Sequence, residues 1–207
     1  MKETIRKWDA FIGILNGQKR KTIENITDVS VLPCDYKKAG ELPDTDRMVP
    51  FDTLNDTWGT GKDTHAWFRF SVTVPSGCDT AALRVEIATD TKTVWNVNNP
   101  QFLVYLDGNL LQGLDINHAD FIPGDVGEHE VILYAYTGNA VEKSMMRPKL
   151  VRIVKDVEKL WYDLKIPREA LNCLDENSLE YGRILSCVDG ALRLLDLYDI
   201  PSERFYR

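Results

Sequence analysis

The chain has 207 residues, a formal charge of -7 at pH 7 and a hydrophobic fraction of 43%. That length and apolar content suffice for one buried core with a smaller appendage. The acidic balance argues against nucleic acid, because phosphate binding needs a basic face, and against a polybasic membrane-surface protein. No apolar run approaches the roughly 20 residues of a transmembrane helix, and the N-terminus lacks the pattern of a signal peptide.

The cysteines bear on the cellular compartment. They are widely scattered and form no Cys-x-x-Cys pair: Cys34, Cys78, Cys173 and Cys187. Disulfide frameworks belong to secreted proteins, and no secretion signal is visible here. The sequence therefore predicts reduced thiols in a cytoplasmic protein.

The N-terminal segment predicts an amphipathic helix over residues 3 to about 16, ended near Gly17. Its apolar residues fall at helical spacing: Ile5, Trp8, Ile12 and Leu15. A polar, turn-rich region follows, with at least one short strand at 29–32. We expect residues 1–24 to form an N-terminal helix that packs on the domain after it.

The β signal strengthens after this region. Apolar and polar side chains alternate in 67–74 and again in 83–87, which predicts two strands with one buried face each. A hairpin is predicted over 102–113, because Asp107-Gly108 is a turn pair that tolerates positive φ. Further strands are expected in two later segments: 129–136 and 150–154.

Short strands separated by Pro, Gly and Asp turns, with no helix between them, favour an antiparallel sandwich over a parallel βαβ sheet. The sequence thus predicts a mainly β fold. We expect a jelly-roll β-sandwich over about 25–154, carrying the N-terminal helix. A C-terminal helical segment, 155–207, should follow it.

Beyond the predicted sandwich the pattern becomes helical. One stripe has helical spacing: Val157, Leu160, Trp161 and Leu164. Pro167 suits the first turn of a second helix. A third helix should begin near Asn177 or Ser178, with Glu180 placed as in a capping box, and should end at Ile200-Pro201. Because the chain stops just past this helix, we expect it to be an excised piece of a longer protein.

Motifs for catalysis or metal binding are weak. The segment 59–64 resembles a phosphate-binding loop, but Asp56 stands where its first glycine belongs and Asp63 follows the lysine, so we interpret it as a solvated turn. The histidines lie apart, without metal-ligand spacing: His65, His118 and His129. No nucleophile elbow is present, and the 32 acidic residues nominate no glycosidase pair.

The polar tail of the hairpin and the tryptophans raise the alternative of sugar binding. Aromatic faces pack against sugar rings, while Asp, Asn and Gln hydrogen-bond hydroxyl groups. The candidates for contact with a carbohydrate or with a neighbouring domain are Trp95, Asp107, Gln112, Asp115, Asn117 and His118. The competing interpretation is that Trp67 and Trp161 belong to the core, while Trp58 and Trp95 pack under loops.

Several separated motifs occur in a characteristic order. They are Trp58-Gly59-x-Gly61 leading into Trp67-Phe68-Arg69, then Thr73-Val74-Pro75, Val104-Tyr105-Leu106-Asp107-Gly108, Gln112-Gly113-Leu114-Asp115-x-Asn117-His118 and Glu130-x-x-Leu133-x-Ala135-Tyr136. Over about 50–140 the chain resembles the N-terminal region of the cytosolic-type α-mannosidases of glycoside hydrolase family 38. The likeness extends more loosely through Leu160-Trp161-x-Asp163-Leu164.

This resemblance implies a galactose-binding-like jelly roll in front of a catalytic barrel. In that family the barrel holds a zinc ion and an Asp nucleophile, and neither motif has a match here, so no catalytic or metal-binding residue is assigned. The expected function is that of a non-catalytic N-terminal domain of a zinc-dependent retaining α-mannosidase, without a cofactor of its own. It would support the barrel and the entrance to its active site.

The resemblance also implies partners, and two other functions stay open. The expected partners are the catalytic barrel, a mannose-containing oligosaccharide and, for the full enzyme, further copies in a homo-oligomer. The first alternative is a free-standing carbohydrate-binding jelly roll. The second is a purely structural assembly domain.

Overall fold

A computed structural model describes residues 2–35, 41–88, 100–115, 117–140 and 144–195. The helices in these ranges are α1 (Lys2–Gln18), α2 (Lys155–Ala170) and α3 (Leu179–Leu194). The strands are β1 (Arg20–Asn25), β2 (Val29–Cys34), β3 (Val49–Phe51), β4 (Gly61–Val74), β5 (Leu83–Ala88), β6 (Gln101–Leu106), β7 (Asn109–Leu114), β8 (Asp120–Phe121), β9 (Gly127–Ala140) and β10 (Arg147–Ile153). The chain divides into two compact units, Thr22–Arg152 (the sandwich unit) and Met1–Lys21 with Ile153–Arg207 (the helical unit).

Two antiparallel sheets build the sandwich. The smaller has the strand order β1-β10-β5-β8, and the larger has the order β3-β2-β4-β9-β6-β7. The long pair β4 and β9 runs in register from Gly61 opposite Ala140 to Val74 opposite Gly127. The predicted fold class, a mainly β antiparallel sandwich with an N-terminal helix and C-terminal helices, is confirmed.

The main core lies on the inner faces of the sheets. Alternate residues of β4 are buried there, among them Phe68, Phe70 and Val72, together with Val85 of β5 and Leu150 of β10. Each such side chain contributes about 1.5–3 kcal/mol when it is removed from water. This one-sided burial is why the long strands show a period of two in the sequence.

Three strands were not predicted: β1, β3 and β8. β1 and β3 are largely exposed and β8 has two residues, so none of them carries a readable apolar alternation. Their backbone hydrogen bonds come from neighbouring strands, which the local sequence does not specify.

The prediction of a new helix at Pro167 was wrong. α2 passes through Pro167 to Ala170 and then tightens into a 3₁₀ turn at Leu171–Cys173. Proline lacks the backbone N–H that donates to the preceding turn, but its fixed φ is compatible with a helix. Because Pro167 lies three residues before the C-terminus of α2, the cost to the stability of the helix is limited. α3 begins after Ser178, whose hydroxyl accepts a hydrogen bond from the Tyr181 backbone N–H at 3.2 Å.

The cap at Ser178 makes Glu180 the second helical residue, so the capping box expected from Asn177 does not form. α3 ends at Leu194. The predicted end at Ile200-Pro201 lies outside the described residues. Within the described ranges no cysteine forms a disulfide.

α1 shares its core with the C-terminal helices. Its buried residues, Trp8, Phe11 and Leu15, belong to one cluster with side chains of α2 and α3. The Trp8 indole N–H donates to the Leu164 carbonyl at 3.0 Å, and Asp9 pairs with Arg168 at 2.8 Å. Helical periodicity shows which face of α1 is apolar but not which residues cover it, and the expected packing of α1 on the sandwich stays a prediction.

Candidate functional site

The outer face of the six-stranded sheet carries a second, aromatic cluster. Residues directly opposite each other in a sheet point to the same side, so the register defines rows of side chains across it. One row is Trp67, Tyr134, Leu103 and Gly113, and the next is His65, Tyr136 and Gln101. These rows come from β4, β9, β6 and β7.

The rings of the two rows stack on one another. Trp67 and Tyr134 have centroids 4.8 Å apart, and His65 lies 4.9 Å from Tyr136 and nearly parallel to Tyr134. The Tyr134 hydroxyl and the His65 Nδ1 atom are 2.8 Å apart. Trp67 is 2% exposed and Tyr134 8%, whereas His65 and Tyr136 are half-buried. The first row therefore forms a floor, and the second offers ring surface to solvent.

A cleft of about 860 Å³ opens above these rows, and we call it the outer-face cleft. Its floor includes Leu103, Gly113 and Tyr134. Phe102 and Leu114 also line it, and the remaining lining residues have polar or ionisable side chains: Asp63, His65, Gln101, Asp115, His118 and Tyr136. An apolar floor with a few converging polar groups, at this volume, is typical of small-molecule sites.

Asp63 enters the cleft from an unusual backbone conformation. Its φ of 50° is left-handed, which Asp tolerates better than most residues, and it follows two glycines that also have positive φ, Gly59 and Gly61. The Tyr136 hydroxyl donates to the Asp63 carboxylate at 3.1 Å, and this bond raises the pKa of Tyr136. The phenol therefore keeps its proton and stays a donor to Asp63.

Sequence reasoning did not find Asp63. It interpreted 59–64 as a solvated turn, whereas β4 already begins at Gly61 and Asp63 has a partner 73 residues away. An acidic residue in a glycine-rich segment just ahead of the strand predicted at 67–74 was the available signal.

Asp115 organises the turn at the far rim of the cleft. Its Oδ1 atom accepts from the backbone N–H groups of Asn117 and His118, both at 2.8 Å, and lies 3.1 Å from the His118 Nδ1 atom. The backbone bond to His118 is the first cause that lowers the pKa of Asp115. The ionised carboxylate therefore stabilises its own turn. The His118 ring beside it is 75% exposed to solvent.

The six predicted contact residues do not come together. Asp115 and His118 line the cleft, and Asn117 is an exposed member of the same turn. Asp107 lies past the opposite end of β6, roughly 20 Å away for a strand of six residues. Trp95 lies outside the described residues.

Gln112 points away from the outer-face cleft. It is directly opposite Val104, a residue of the inner face, and its side-chain N–H donates to the Asp120 carbonyl in β8 at 3.0 Å. Gln112 therefore links the edges of the two sheets. Alternation along β7 separates it from its neighbour Gly113, which lies on the cleft side.

Asp107 is the first central residue of the hairpin turn and also forms hydrogen bonds to β9. Its φ is 49° and that of Gly108 is 79°, as in a type I′ turn. Its carboxylate lies 2.7 Å from the His129 Nδ1 atom and accepts from the Glu130 backbone N–H at 2.9 Å. The other ring nitrogen of His129 lies 2.8 Å from the Asp125 carbonyl.

Both ring nitrogens of His129 thus face acceptors, which suits the protonated imidazolium. The hydrogen bond to Asp107 is the main cause that raises the pKa of His129, and the same bond lowers the pKa of Asp107. We assign this pair to the stability of the sandwich rather than to ligand contact.

Other features of the described residues bear on the predicted chemistry. Trp67 and Trp161 are buried, as the core interpretation predicted. Within the ranges given above, no three His, Cys, Asp or Glu side chains are grouped to hold a metal ion. In the same part of the chain, no helix combines the length and apolar character needed to cross a membrane.

Comparison with known proteins places the chain in no established family. No family model matches it, and no curated protein does. Part of it is similar to glycoside hydrolases of known structure. One is a β-glucuronidase 2 of Bacteroides uniformis covalently bound to cyclophellitol-6-carboxylate aziridine, at 14% identity and a TM-score of 0.35, with 64% of this chain and 18% of that one covered.

A second B. uniformis β-glucuronidase structure has the same identity and TM-score, with 17% of its chain covered. This chain therefore spans less than a fifth of either enzyme. The protein class that the structure itself defines is a two-sheet β-sandwich with a polar, aromatic cleft on one outer face.

Proposed function

We propose that the sandwich unit is a non-catalytic carbohydrate-binding module that acts as part of a glycoside-hydrolysing enzyme. The observation that carries this proposal is the outer-face cleft, where half-exposed rings stand beside hydrogen-bonding side chains. The proposal applies to the sandwich unit alone, because every described residue that lines the cleft belongs to it.

The chemistry of the cleft suits a sugar. Tyr136 and His65 offer ring faces against which the C–H face of a pyranose can pack. Asp63 and Asp115 offer carboxylate oxygens, and Gln101 offers both a donor and an acceptor, to the ring hydroxyls.

The same residues favour binding over hydrolysis. A glycosidase acid needs a raised pKa to hold a proton at neutral pH. The pKa of Asp115 is lowered instead, because backbone N–H groups stabilise its ionised form. Asp63 is engaged by the Tyr136 hydroxyl. Asp115 therefore lacks the environment of a general acid.

Calorimetric titration with mannose, mannobiose and other neutral oligosaccharides tests the proposal. Tyr136→Ala should weaken binding at least about tenfold, since ring stacking and hydrogen bonding are lost together. Tyr162→Ala is a matched control, because Tyr162 is an exposed tyrosine of the helical unit. No binding at millimolar sugar, or equal effects of the two substitutions, would contradict a sugar site in this cleft.

The ordered motifs support a finer proposal, in which the parent enzyme is a zinc-dependent retaining α-mannosidase. This chain would then be its cytoplasmic N-terminal domain, in contact with the catalytic barrel and with other copies in an oligomer. The full-length parent should hydrolyse an aryl α-mannoside and lose that activity to a zinc chelator. A parent gene without a barrel containing a His-x-Asp zinc motif would rule this out and leave the carbohydrate-binding proposal standing.

A further inference from the structure

Hydrogen-bond acceptors dominate the outer-face cleft. Its lining carries two carboxylates, Asp63 and Asp115, and none of its described lining residues is Lys or Arg. Each imidazole uses its Nδ1 atom within the protein, that of His65 with the Tyr134 hydroxyl and that of His118 with the Asp115 carboxylate. The fixed charge that the described lining presents to a ligand is therefore negative.

The internal hydrogen bonds of the cleft leave further acceptors for a ligand. The proton of the Tyr136 hydroxyl is directed to Asp63 Oδ1, so the phenol oxygen can only accept from a ligand, and Asp63 keeps its second oxygen. At the opposite rim, the hydrogen bonds that the Asp115 carboxylate accepts within its turn end on Oδ1. The cleft is thus complementary to groups that donate hydrogen bonds.

We infer that the cleft selects uncharged sugars and rejects uronic acids, an inference that rests on the proposed carbohydrate-binding function. A neutral pyranose presents hydroxyl groups that donate to carboxylates. A uronate presents at C6 an anion that can only accept, facing two like charges with no described cation to pair with it. Selectivity of this kind comes from a repulsive element built against the wrong ligand.

A matched pair of ligands isolates the C6 group. Methyl glucoside and methyl glucuronide, and likewise methyl mannoside and methyl mannuronide, differ only in that group. The titrations are done at low salt, where the screening of charge–charge repulsion is weak. In whichever pair binds, the neutral sugar should have an affinity at least about tenfold higher than that of its uronate.

Asp63→Asn removes one of the two charges and keeps a residue that tolerates the left-handed backbone. The ratio of the affinity for the neutral sugar to the affinity for its uronate should fall at least about threefold in this variant, equivalent to roughly 0.6 kcal/mol. Asp63→Gly, which also adopts positive φ, should narrow it too and guards against a poorly folded Asn variant. Glu128→Gln is the control, because Glu128 is an exposed carboxylate at the opposite end of β9.

The outcomes separate the two proposals. A uronate that binds as tightly as its neutral partner overturns the charge selectivity and leaves carbohydrate binding intact. If neither member of any pair binds, carbohydrate binding itself fails. If the ratio is unchanged in both Asp63 variants, or narrows equally in Glu128→Gln, the assignment of selectivity to this cleft is wrong.

Discussion

The two ends of the β6–β7 hairpin each carry an aspartate beside a histidine, and the two pairs behave differently. At the turn, Asp107 bonds to His129 and to the Glu130 backbone, which lie more than 20 residues along the chain. At the open end, the bonds of Asp115 to described residues stay within its own turn, to His118 and the neighbouring backbone. The His129 side chain is 15% exposed and that of His118 is 75% exposed.

This difference shows how one pair of residue types serves two purposes. A bond between distant segments holds two strands of the sheet together, so its loss affects the whole sandwich unit. A bond within four residues orders only a turn, and it leaves the histidine ring available to a ligand. The sequence analysis had named Asp107 and Asp115 alike as candidates for contact with a ligand or a neighbouring domain.

The largest expected effect is on stability at the turn end. His129→Ala should lower the free energy of unfolding by about 1–3 kcal/mol, because it leaves the Asp107 carboxylate and the Asp125 carbonyl without their partner. Urea unfolding of the two proteins measures this. His118→Ala is the matched control at the open end and should change stability by less than about 0.5 kcal/mol. Equal losses would remove the distinction between the two ends.

The stability contributed by His129 should depend on pH in a defined direction. The pKa of His129 is raised by folding, so its contribution is complete below the unfolded value near 6.5 and is lost as the pH rises through the folded pKa. The lowered pKa of Asp107 keeps its carboxylate ionised through this range, and its own contribution is lost only in acid. The stability difference between wild type and His129→Gln should therefore shrink from pH 6 to pH 9, and a difference that grows with pH would contradict the assignment.

At the open end, Asp115→Ala should have a smaller effect on stability, about 0.5–1.5 kcal/mol, since it removes the acceptor that fastens one turn. It should also weaken sugar binding, because the turn is a rim of the cleft. Asn117→Ala should change stability little, because only its backbone N–H enters that network. Thermal melting and titration together decide the point. A lower melting temperature with unchanged sugar binding would favour the purely structural alternative.

The smallest expected change in stability comes from Gly113→Val. A Cβ atom at Gly113 would lie 3.7 Å from the Phe102 carbonyl oxygen, an ordinary contact, and its backbone does not need glycine. We expect the melting temperature to stay the same or rise slightly, because valine favours strands. The added side chain extends over the cleft floor, so sugar affinity should fall. Unchanged affinity would place the ligand elsewhere on the sheet.

Much of the fold could be predicted because its determinants are local. The alternation in 67–74 placed β4, and the Asp107-Gly108 pair placed the hairpin turn, since a type I′ turn requires positive φ at both residues. The Ser178 cap likewise places the start of α3 within two residues of the expected position. These features depend on neighbours in the chain, so the sequence reports them directly.

The candidate site could be predicted only in part. Asp115 and His118 were named, and they line the cleft. Gln112 was named with them, although its strand turns it to the other face of the sheet. Asp63 was missed, because its role depends on Tyr136 in a distant strand.

The sequence by itself thus determined the fold class, the main strands and the turn chemistry, all of which follow from periodicity and from residues that tolerate special backbone angles. Tertiary structure alone decided that α1 shares a core with α2 and α3, and that β4, β9, β6 and β7 bring His65, Tyr136 and Asp115 to one cleft. The physical reason is that local patterns state which side chains need burial or a partner. Only strand pairing and packing determine which partner each one meets.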